Sequence, residues 1–373
     1  MNSFVSKAGV VLLVAVSFIA FSHAQTNTLF SDWRPNSDPR GVKFVGSKAC
    51  VDCHQRQAKY LTTPMAQALE VAPGCDIVTR FGKLNFRNGP YNYEISRQDK
   101  SITYSVTDGL NTIKEPILYC FGKGDAGQTY VFRHNDVLYE TRVSYFNNLK
   151  RLDFTIGHRP TVPTSLDDAL GRSIGGDEPQ QCFGCHTTGA VSGRDLKLDQ
   201  LTPGIGCEAC HGPGETHAVA MKEKKTDRTH IFNPRNLGAF ELSQSFCGTC
   251  HTSFDQAMMM PAQSGINNIR FQPYRIFNSK GHNTNDVRTG CLACHNPHEP
   301  LAKDATYYDA KCLACHVASA KEPRTERRNA AACPVSTKNC VTCHMPKVEL
   351  VGMHAAFTDH WIRIAKPGDG TPR

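Results

Sequence analysis

The first pattern along the chain is an apolar run at its amino end. Residues 8–21 are almost entirely apolar and follow Lys7, and small residues up to Ala24 offer a cleavage position. About fourteen apolar residues are too few for a bilayer span, which needs roughly twenty. The pattern therefore predicts a secretory signal peptide and export to the periplasm or the cell exterior. No later stretch is apolar enough to predict a membrane span in the mature chain.

A second pattern, of short runs rich in Tyr, Val, Thr and Phe, occupies the middle of the first half of the chain. Such runs are typical of β-strands, and Asn135-Asp136 between two of them predicts a hairpin turn. Elsewhere Pro and Gly recur too often for long helices, so we expect short ones, such as one over residues 55–70. The predicted strands cover residues 91–96, 102–106, 129–133 and 138–145.

The 373 residues include 17 cysteines, and fourteen of these belong to seven copies of Cys-x-x-Cys-His. At this spacing two thiols reach both vinyl groups of one haem while the adjacent imidazole binds its iron. Zinc sites would not need a histidine after every second cysteine, and a disulfide framework does not explain the histidines either. The motifs therefore predict seven covalent haem c groups, numbered like their motifs.

Each motif supplies two cysteines for attachment and one proximal histidine for the iron. In chain order, motifs 1 to 7 are Cys50, Cys53 and His54; Cys182, Cys185 and His186; Cys207, Cys210 and His211; Cys247, Cys250 and His251; Cys291, Cys294 and His295; Cys312, Cys315 and His316; and Cys340, Cys343 and His344.

Three cysteines remain outside the motifs. A disulfide bond between Cys75 and Cys120 would cross-link the segment that lacks motifs, and Cys333 would then be unpaired.

An electron carrier usually closes the sixth position of each iron with His or Met. His217 and His298 follow their own motifs so closely that each is expected to bind a neighbouring haem. His134 lies in the predicted hairpin and is expected to be exposed to solvent. The candidate distal ligands are His217, His298, His282, His354, His360, His158 and, as a thioether, Met65.

Motifs 2 to 7 leave few residues per haem, so the porphyrins are expected to supply much of the core. The predicted fold class is a mainly α and irregular multihaem cytochrome fold with a haem-filled core and a small antiparallel β insert between motifs 1 and 2. The predicted segments are a signal peptide (1–24), an N-terminal segment with the first haem (25–75), a β-rich haem-free insert (76–178), a six-haem domain (179–364) and a tail (365–373).

The formal net charge of +8 does not indicate a nucleic-acid partner, because Lys and Arg are scattered and form no continuous basic stripe. Seven haems would add about fourteen propionate carboxylates, which offset the excess. We expect redox proteins as electron donor and acceptor. The sequence leaves open an oligomer or a filament of copies.

With these motifs in view, the chain resembles the multihaem c-type cytochrome superfamily that includes hydroxylamine oxidoreductase, pentahaem nitrite reductase and the tetrahaem electron carriers of nitrifying bacteria. The resemblance covers roughly residues 45–364. It is carried by residues 206–214 with His217, by the Cys-His-Asn-Pro-His run that ends at His298, and by residues 340–347 with 354–360.

The resemblance also implies particular distal ligands. Relatives often carry Ser-x-His after the first motif, where this chain has Thr63-Pro64-Met65. The resemblance would make Met65 a ligand of haem 3 and His217 a ligand of haem 4. The chain lacks the Cys-x-x-Cys-Lys site that holds the catalytic haem of pentahaem nitrite reductases.

The leading functional hypothesis is electron transfer, in which neighbouring haems pass single electrons and the polypeptide tunes each step. The alternative is a reductase or oxidase of a small nitrogen or sulfur compound at one five-coordinate haem. Haem 2 is the candidate for that role, because no distal partner accompanies its motif. A third interpretation is a structural or filament subunit whose haems conduct between copies.

Overall fold

The computed structural model describes residues 41–193, 195–225, 230–260, 268–283, 286–316, 333 and 335–366. The predicted signal peptide (1–24) and the end of the predicted tail (367–373) lie outside these residues. Within the described residues, no helix combines the length and the apolar character that a membrane crossing requires.

The largest element is an antiparallel sheet of ten strands that follow motif 1. The strands are β1 Leu69–Val71, β2 Lys83–Asn88, β3 Tyr91–Gln98, β4 Ser101–Thr107, β5 Thr112–Phe121, β6 Gly127–His134, β7 Val137–Thr141, β8 Val143–Phe146, β9 Arg151–Phe154 and β10 Gly171–Ser173. Across the sheet the order is β10-β7-β6-β5-β4-β3-β2, while β1 pairs with β5, and β8 pairs with β6 and β9. The sheet curls, so that Phe86 of β2 packs edge-on against Phe154 of β9 at 5.0 Å between ring centres.

The strand predictions are confirmed. The four predicted runs lie in β3, β4, β6 and, for the last run, β7 with β8. The hairpin turn between β6 and β7 is also as predicted, with φ of 48° at Asn135 and 62° at Asp136. Two consecutive residues in the left-handed region match the right-handed twist of the flanking strands.

The predicted fold class, mainly α and irregular with a small β insert, was wrong, because the ten-stranded sheet is a major part of the fold. Five strands of the sheet, β1, β2, β5, β9 and β10, were not predicted from the sequence pattern, and the two longest of them show why. In β2 charged and amide side chains occupy every exposed position, as at Lys83 and Arg87, so the run does not stand out as apolar. In β5 Pro116 removes a backbone donor and argues against a strand, yet it lies beside a register shift between Ile117 and Tyr119.

The helix predicted over residues 55–70 was also wrong in part. A 3-10 helix covers Gln55–Thr62, and the chain then turns and enters β1. Thr63 marks the end of the helix, because its backbone is extended there.

The remaining helices are short, and most of them carry a motif. They are α1 Ser47–Val51, α2 Asp76–Phe81, α3 Leu166–Leu170, α4 Glu178–His186, α5 Cys207–His211, α6 Glu215–Lys222, α7 Gly248–His251, α8 Phe254–Met259, α9 Gln272–Phe277, α10 Cys291–Cys294, α11 Ala305–His316 and α12 Cys340–His344. A π-helix over Glu241–Cys247 leads directly into α7. Short strands β11 Thr187–Thr188, β12 Val191–Ser192, β13 Asp195–Leu196, β14 Thr202–Pro203, β15 Lys347–Glu349 and β16 Ala356–Thr358 form three further two-stranded sheets.

One apolar cluster attaches the helix of motif 2 to the large sheet. Phe183 of α4 is fully buried and packs edge-on against Tyr119 and Phe121 of β5, with ring centres 4.9 and 5.2 Å away. Burial of one phenylalanine side chain stabilises a fold by roughly 1.5–3 kcal/mol. The sheet therefore positions α4, and with it the residues of motif 2.

The predicted bridge between Cys75 and Cys120 is confirmed. Cys75 precedes α2, Cys120 lies in β5, and both are fully buried in the larger apolar cluster of the sheet. Cys333 is a free and exposed thiol.

Replacing both Cys75 and Cys120 by alanine should lower the free energy of unfolding. The bridge closes a loop of 45 residues, and the chain-entropy model gives about 4 kcal/mol for a loop of this length. Urea unfolding followed by far-ultraviolet circular dichroism measures the difference, with Cys333→Ala as the control that should leave the midpoint unchanged. Equal midpoints for the double variant and the unaltered chain would contradict the expected contribution.

Candidate haem-binding sites

The motifs lie on short helices, which explains how their side chains converge. In α5 the two cysteines of motif 3 are three residues apart and His211 follows directly. Residues three and four apart lie on the same face of a helix, so both thiols and the imidazole point to one side. The same spacing lets one helical turn present all three groups to one edge and one face of a porphyrin.

Three proximal histidines face a second histidine at the same spacing. The ring centres are 6.4 Å apart for His54 and His217, 6.0 Å apart for His211 and His298, and 6.1 Å apart for His295 and His360. The planes of the first two pairs are nearly parallel, at 21° and 12°, and those of the third are at 39°.

This spacing fits an iron between each pair of rings. Two imidazoles that bind one metal have ring centres about 6.3 Å apart, because each nitrogen lies about 1.1 Å from its ring centre and binds at about 2.0 Å. Stacked rings in direct contact would be closer than these pairs. The six imidazoles therefore form three pairs, each of which could hold a haem iron from both sides, as an electron-transfer haem requires.

Backbone carbonyls fix the orientation of several of these rings. The Nδ1 atom of His211 is 2.8 Å from the carbonyl of Phe232, and that of His360 is 3.0 Å from the carbonyl of Thr358. When Nδ1–H donates to a carbonyl, Nε2 is left as the lone-pair nitrogen that binds a metal. His186 and His344 are held in the same way, on the carbonyls of Ala68 at 2.9 Å and Arg363 at 2.7 Å.

Burial favours the neutral form of four of these imidazoles by lowering their pKa values. Desolvation lowers the pKa of His360 to about 4, and the neighbouring His295 adds to the effect. The pKa values of His217, His295 and His298 are also lowered, in each case first by burial. Only the neutral ring can bind iron, so the fold holds the ligands in the form that coordination requires.

The three distal histidines share an origin in the chain. His217 follows motif 3 and faces motif 1, His298 follows motif 5 and faces motif 3, and His360 follows motif 7 and faces motif 5. Each odd-numbered motif thus supplies the distal imidazole for the preceding odd-numbered one. This arrangement differs from the resemblance-based expectation that His217 serves haem 4.

Two predicted distal ligands contact carboxylates instead of facing a motif histidine. Nε2 of His158 is 3.4 Å from Glu140, and Nε2 of His354 is 3.1 Å from Asp153. In addition, His134 is not exposed as expected, because its side chain is only 17% exposed and it is hydrogen-bonded to Glu115.

His282, another predicted distal ligand, faces no motif histidine among the described residues. It packs edge-on against Phe277, and its buried Nδ1 has no hydrogen-bond partner in the described part of the chain. The backbone carbonyl of Met65 accepts the N–H groups of Ala68 and Ile205, and ligation by its sulfur stays a prediction.

The first cysteines of several motifs lie close to one another. Cys50 of motif 1 is near enough to Cys207 of motif 3 for each to shift the pKa of the other. Cys247 and Cys291 are neighbours in motifs 4 and 5, and Cys312 and Cys340 are neighbours in motifs 6 and 7. The helices of six motifs are thus arranged as three close pairs.

Glycine permits the close approach in two of these pairs. A Cβ atom at Gly206, just before motif 3, would lie 2.9 Å from Oγ of Ser47 beside motif 1. A Cβ atom at Gly290, just before motif 5, would lie 3.1 Å from Oγ of Ser243 beside motif 4. A larger residue at either position would require the hydroxyl group of Ser47 or Ser243 to move.

Tyr60 supports a distal ligand and was missed by the sequence analysis. It is buried, its hydroxyl donates to the carbonyl of Ile205 at 2.5 Å, and its ring lies edge-on to His298. A tyrosine six residues after motif 1 carries no signal that it would contact a histidine near motif 5, because only the tertiary fold brings them together.

The comparison with known families agrees with this geometry. A family model described as cytochrome c554 and c-prime matches residues 165–212, a segment that contains motifs 2 and 3. No curated protein and no solved structure matches the chain significantly. The match supports a c-type cytochrome with covalently bound haem c. Since the matched family is a multihaem one, it also indicates multihaem electron transfer as the kind of function.

Replacing His298 by alanine should convert one haem from low spin to high spin, because the iron bound by His211 would lose its sixth ligand. Electron paramagnetic resonance of the oxidised protein measures the change. His134→Ala is the control, since His134 is bonded to Glu115 and faces no motif histidine among the described residues. An unchanged low-spin spectrum in the His298 variant would show that His298 is not an axial ligand.

Proposed function

We propose that the chain is a seven-haem c-type cytochrome that transfers single electrons along covalently bound haems in the cell envelope. The three facing imidazole pairs are the observation that carries the proposal. Axial ligation by two histidines leaves no coordination position for a substrate, while the iron can still cycle between Fe(III) and Fe(II). A chain built around such pairs is suited to conduction.

The contacts between motifs support a continuous path. Cysteine contacts join motif 1 to 3, 4 to 5 and 6 to 7. The distal histidines join motif 3 to 5 and motif 5 to 7. Motif 2 approaches motif 4, since Sγ of Cys185 is 3.9 Å from the carbonyl of Thr249. Every motif therefore has at least one neighbour, and each transfer would move one electron from the Fe(II) of one haem to the Fe(III) of the next.

The proposed location is the periplasm or the cell exterior, after removal of residues 1–24. The apolar run at the amino end supports export, and haem c attachment takes place in exported chains of cytochrome families. Redox proteins are the proposed electron donor and acceptor. In this proposal the sheet region, residues 76–178, is a haem-free part of the carrier.

Haem 2 supports a second candidate function, the reduction or oxidation of a small nitrogen or sulfur compound. The ring next to His186 is that of Phe121, at 5.2 Å, and no second imidazole faces His186 among the described residues. Arg270 lies near enough to lower the pKa values of His186 and His251, although burial is the main cause for both. Its guanidinium packs on the ring of Phe357 and has no carboxylate partner within the described part of the chain, so it is able to attract an anion.

The mass of the mature protein tests the haem count. The mature chain, from residue 25 onward, should carry seven haems, each held by two thioether bonds. Intact-mass spectrometry of protein matured in a competent host measures the added mass. Any count other than seven would overturn the seven-haem proposal, and a retained amino end would overturn the proposed cleavage after Ala24.

Carbon monoxide distinguishes the carrier from the enzyme. If every iron has two protein ligands, the visible spectrum of the reduced protein should not change when carbon monoxide is added, because no coordination position is open. A shift in the Soret band that corresponds to one haem would favour the enzyme. In that case His186→Met, which replaces the ligand of haem 2, should alter the shift, whereas His54→Met should not.

A further inference from the structure

Glu208 is a buried carboxylate inside motif 3 that binds the chain of motif 1. It is 2% exposed. Its two oxygens accept the N–H groups of Val45 at 2.8 Å and Gly46 at 2.7 Å, immediately before α1. The N–H of Gly214 donates to the same carboxylate at 2.8 Å. Glu208 therefore places one negative charge where the helices of motifs 1 and 3 meet.

Asp309 is a second buried carboxylate, and it lies between motifs 6 and 7. It lies in α11, which carries motif 6, and is 5% exposed. Its two oxygens accept the N–H groups of Asn339 at 2.7 Å and Cys340 at 2.8 Å, at the start of α12. The N–H of Cys340 lowers the pKa of Asp309, so the carboxylate is ionised at neutral pH.

The remaining pair, motifs 4 and 5, has a neutral side chain between its helices. Oγ of Ser243 is 3.7 Å from Sγ of Cys291, and Ser243 is 1% exposed beside Gly290. A serine also lies between motifs 1 and 3, where Oγ of Ser47 accepts the N–H of Cys207 at 3.0 Å, so Glu208 adds a charge to a similar contact. The third buried carboxylate of the described residues, Asp359, is neutralised by its ion pair with Arg275.

A buried negative charge near a haem acts on its redox equilibrium. Oxidation adds one positive charge at the iron, and a nearby carboxylate stabilises the oxidised state more than the reduced state. The effect is stronger away from water, because the effective dielectric constant is lower there. A neutral hydroxyl group does not have this effect.

We propose that the buried negative charges of Glu208 and Asp309 lower the reduction potentials of the haem pairs 1 and 3, and 6 and 7, relative to the pair 4 and 5, where the described contact is the neutral Ser243. The proposal rests on the electron-transfer function proposed above. Haems 4 and 5 would then have the higher reduction potentials and would be reduced first. Along the chain of contacts they lie between the two haem pairs that have a buried carboxylate.

The test uses the full holoprotein and pairs of substitutions that separate charge from shape. Glu208→Gln keeps the size of the side chain and removes its charge, whereas Glu208→Asp keeps the charge and shortens the side chain. Spectroelectrochemical titration, with the haems assigned by their low-spin resonance signals, measures the seven potentials. We expect Glu208→Gln to raise the potentials of two haems, 1 and 3, and Glu208→Asp to leave both near their original values.

Asp309→Asn and Asp309→Glu repeat the comparison for haems 6 and 7, so the proposal can be tested even if one site does not tolerate substitution. The controls are Glu215→Gln and Asp304→Asn. Glu215 binds the N–H of Lys43 near the surface, and Asp304 binds Thr306 in an exposed turn. Neither control should move any potential.

The outcomes separate this inference from the function on which it rests. If seven haems are attached and cycle reversibly, but the Gln and Asn variants shift no potential, the role of the two carboxylates is refuted and the electron carrier stands. If the charge-retaining variants shift the potentials as much as the neutral ones, the two residues act only through packing, which also refutes the inference. A protein with fewer haems would refute the proposed function itself.

Discussion

The facing of histidine pairs is the constraint on which the arrangement of these motifs depends. A motif helix ends at or before its proximal histidine, so the same helix supplies no second imidazole for the opposite face of a haem. The second imidazole has to come from elsewhere in the chain, and in the three observed pairs it comes from the segment after another motif. Fixing one iron therefore fixes the relation of two distant segments, and short helices joined by turns are sufficient to build the sites.

The large sheet positions the helix of motif 2. Phe183 packs α4 onto β5, and the carbonyl of Ala68, next to β1, orients the ring of His186. Motif 2 is thus held mainly by the sheet, whereas motifs 3 to 7 hold one another. The sheet thus gives motif 2 surroundings unlike those of the motifs whose histidines face a second imidazole.

The sequence predicted what depends on local spacing. The seven motifs, the strands with clear β patterns and the turn at Asn135 and Asp136 could all be found without a structure, because each depends on adjacent residues. The size of the sheet could not be predicted, since β2 carries polar residues and β5 contains Pro116. Nor could the sequence show which motif His217 faces, because that depends on how separate segments pack. Glu208 occupies a variable position of its motif, where nothing marks it as a contact to another helix.

The pairing of His295 with His360 has a consequence for how the protein folds. The two residues are 65 positions apart in the sequence, so their rings face each other only after the segment between them has folded. An iron bound by His295 would remain without a facing imidazole until then. A protein cleaved by a protease between motif 7 and His360 would therefore expose that iron to small reactive molecules.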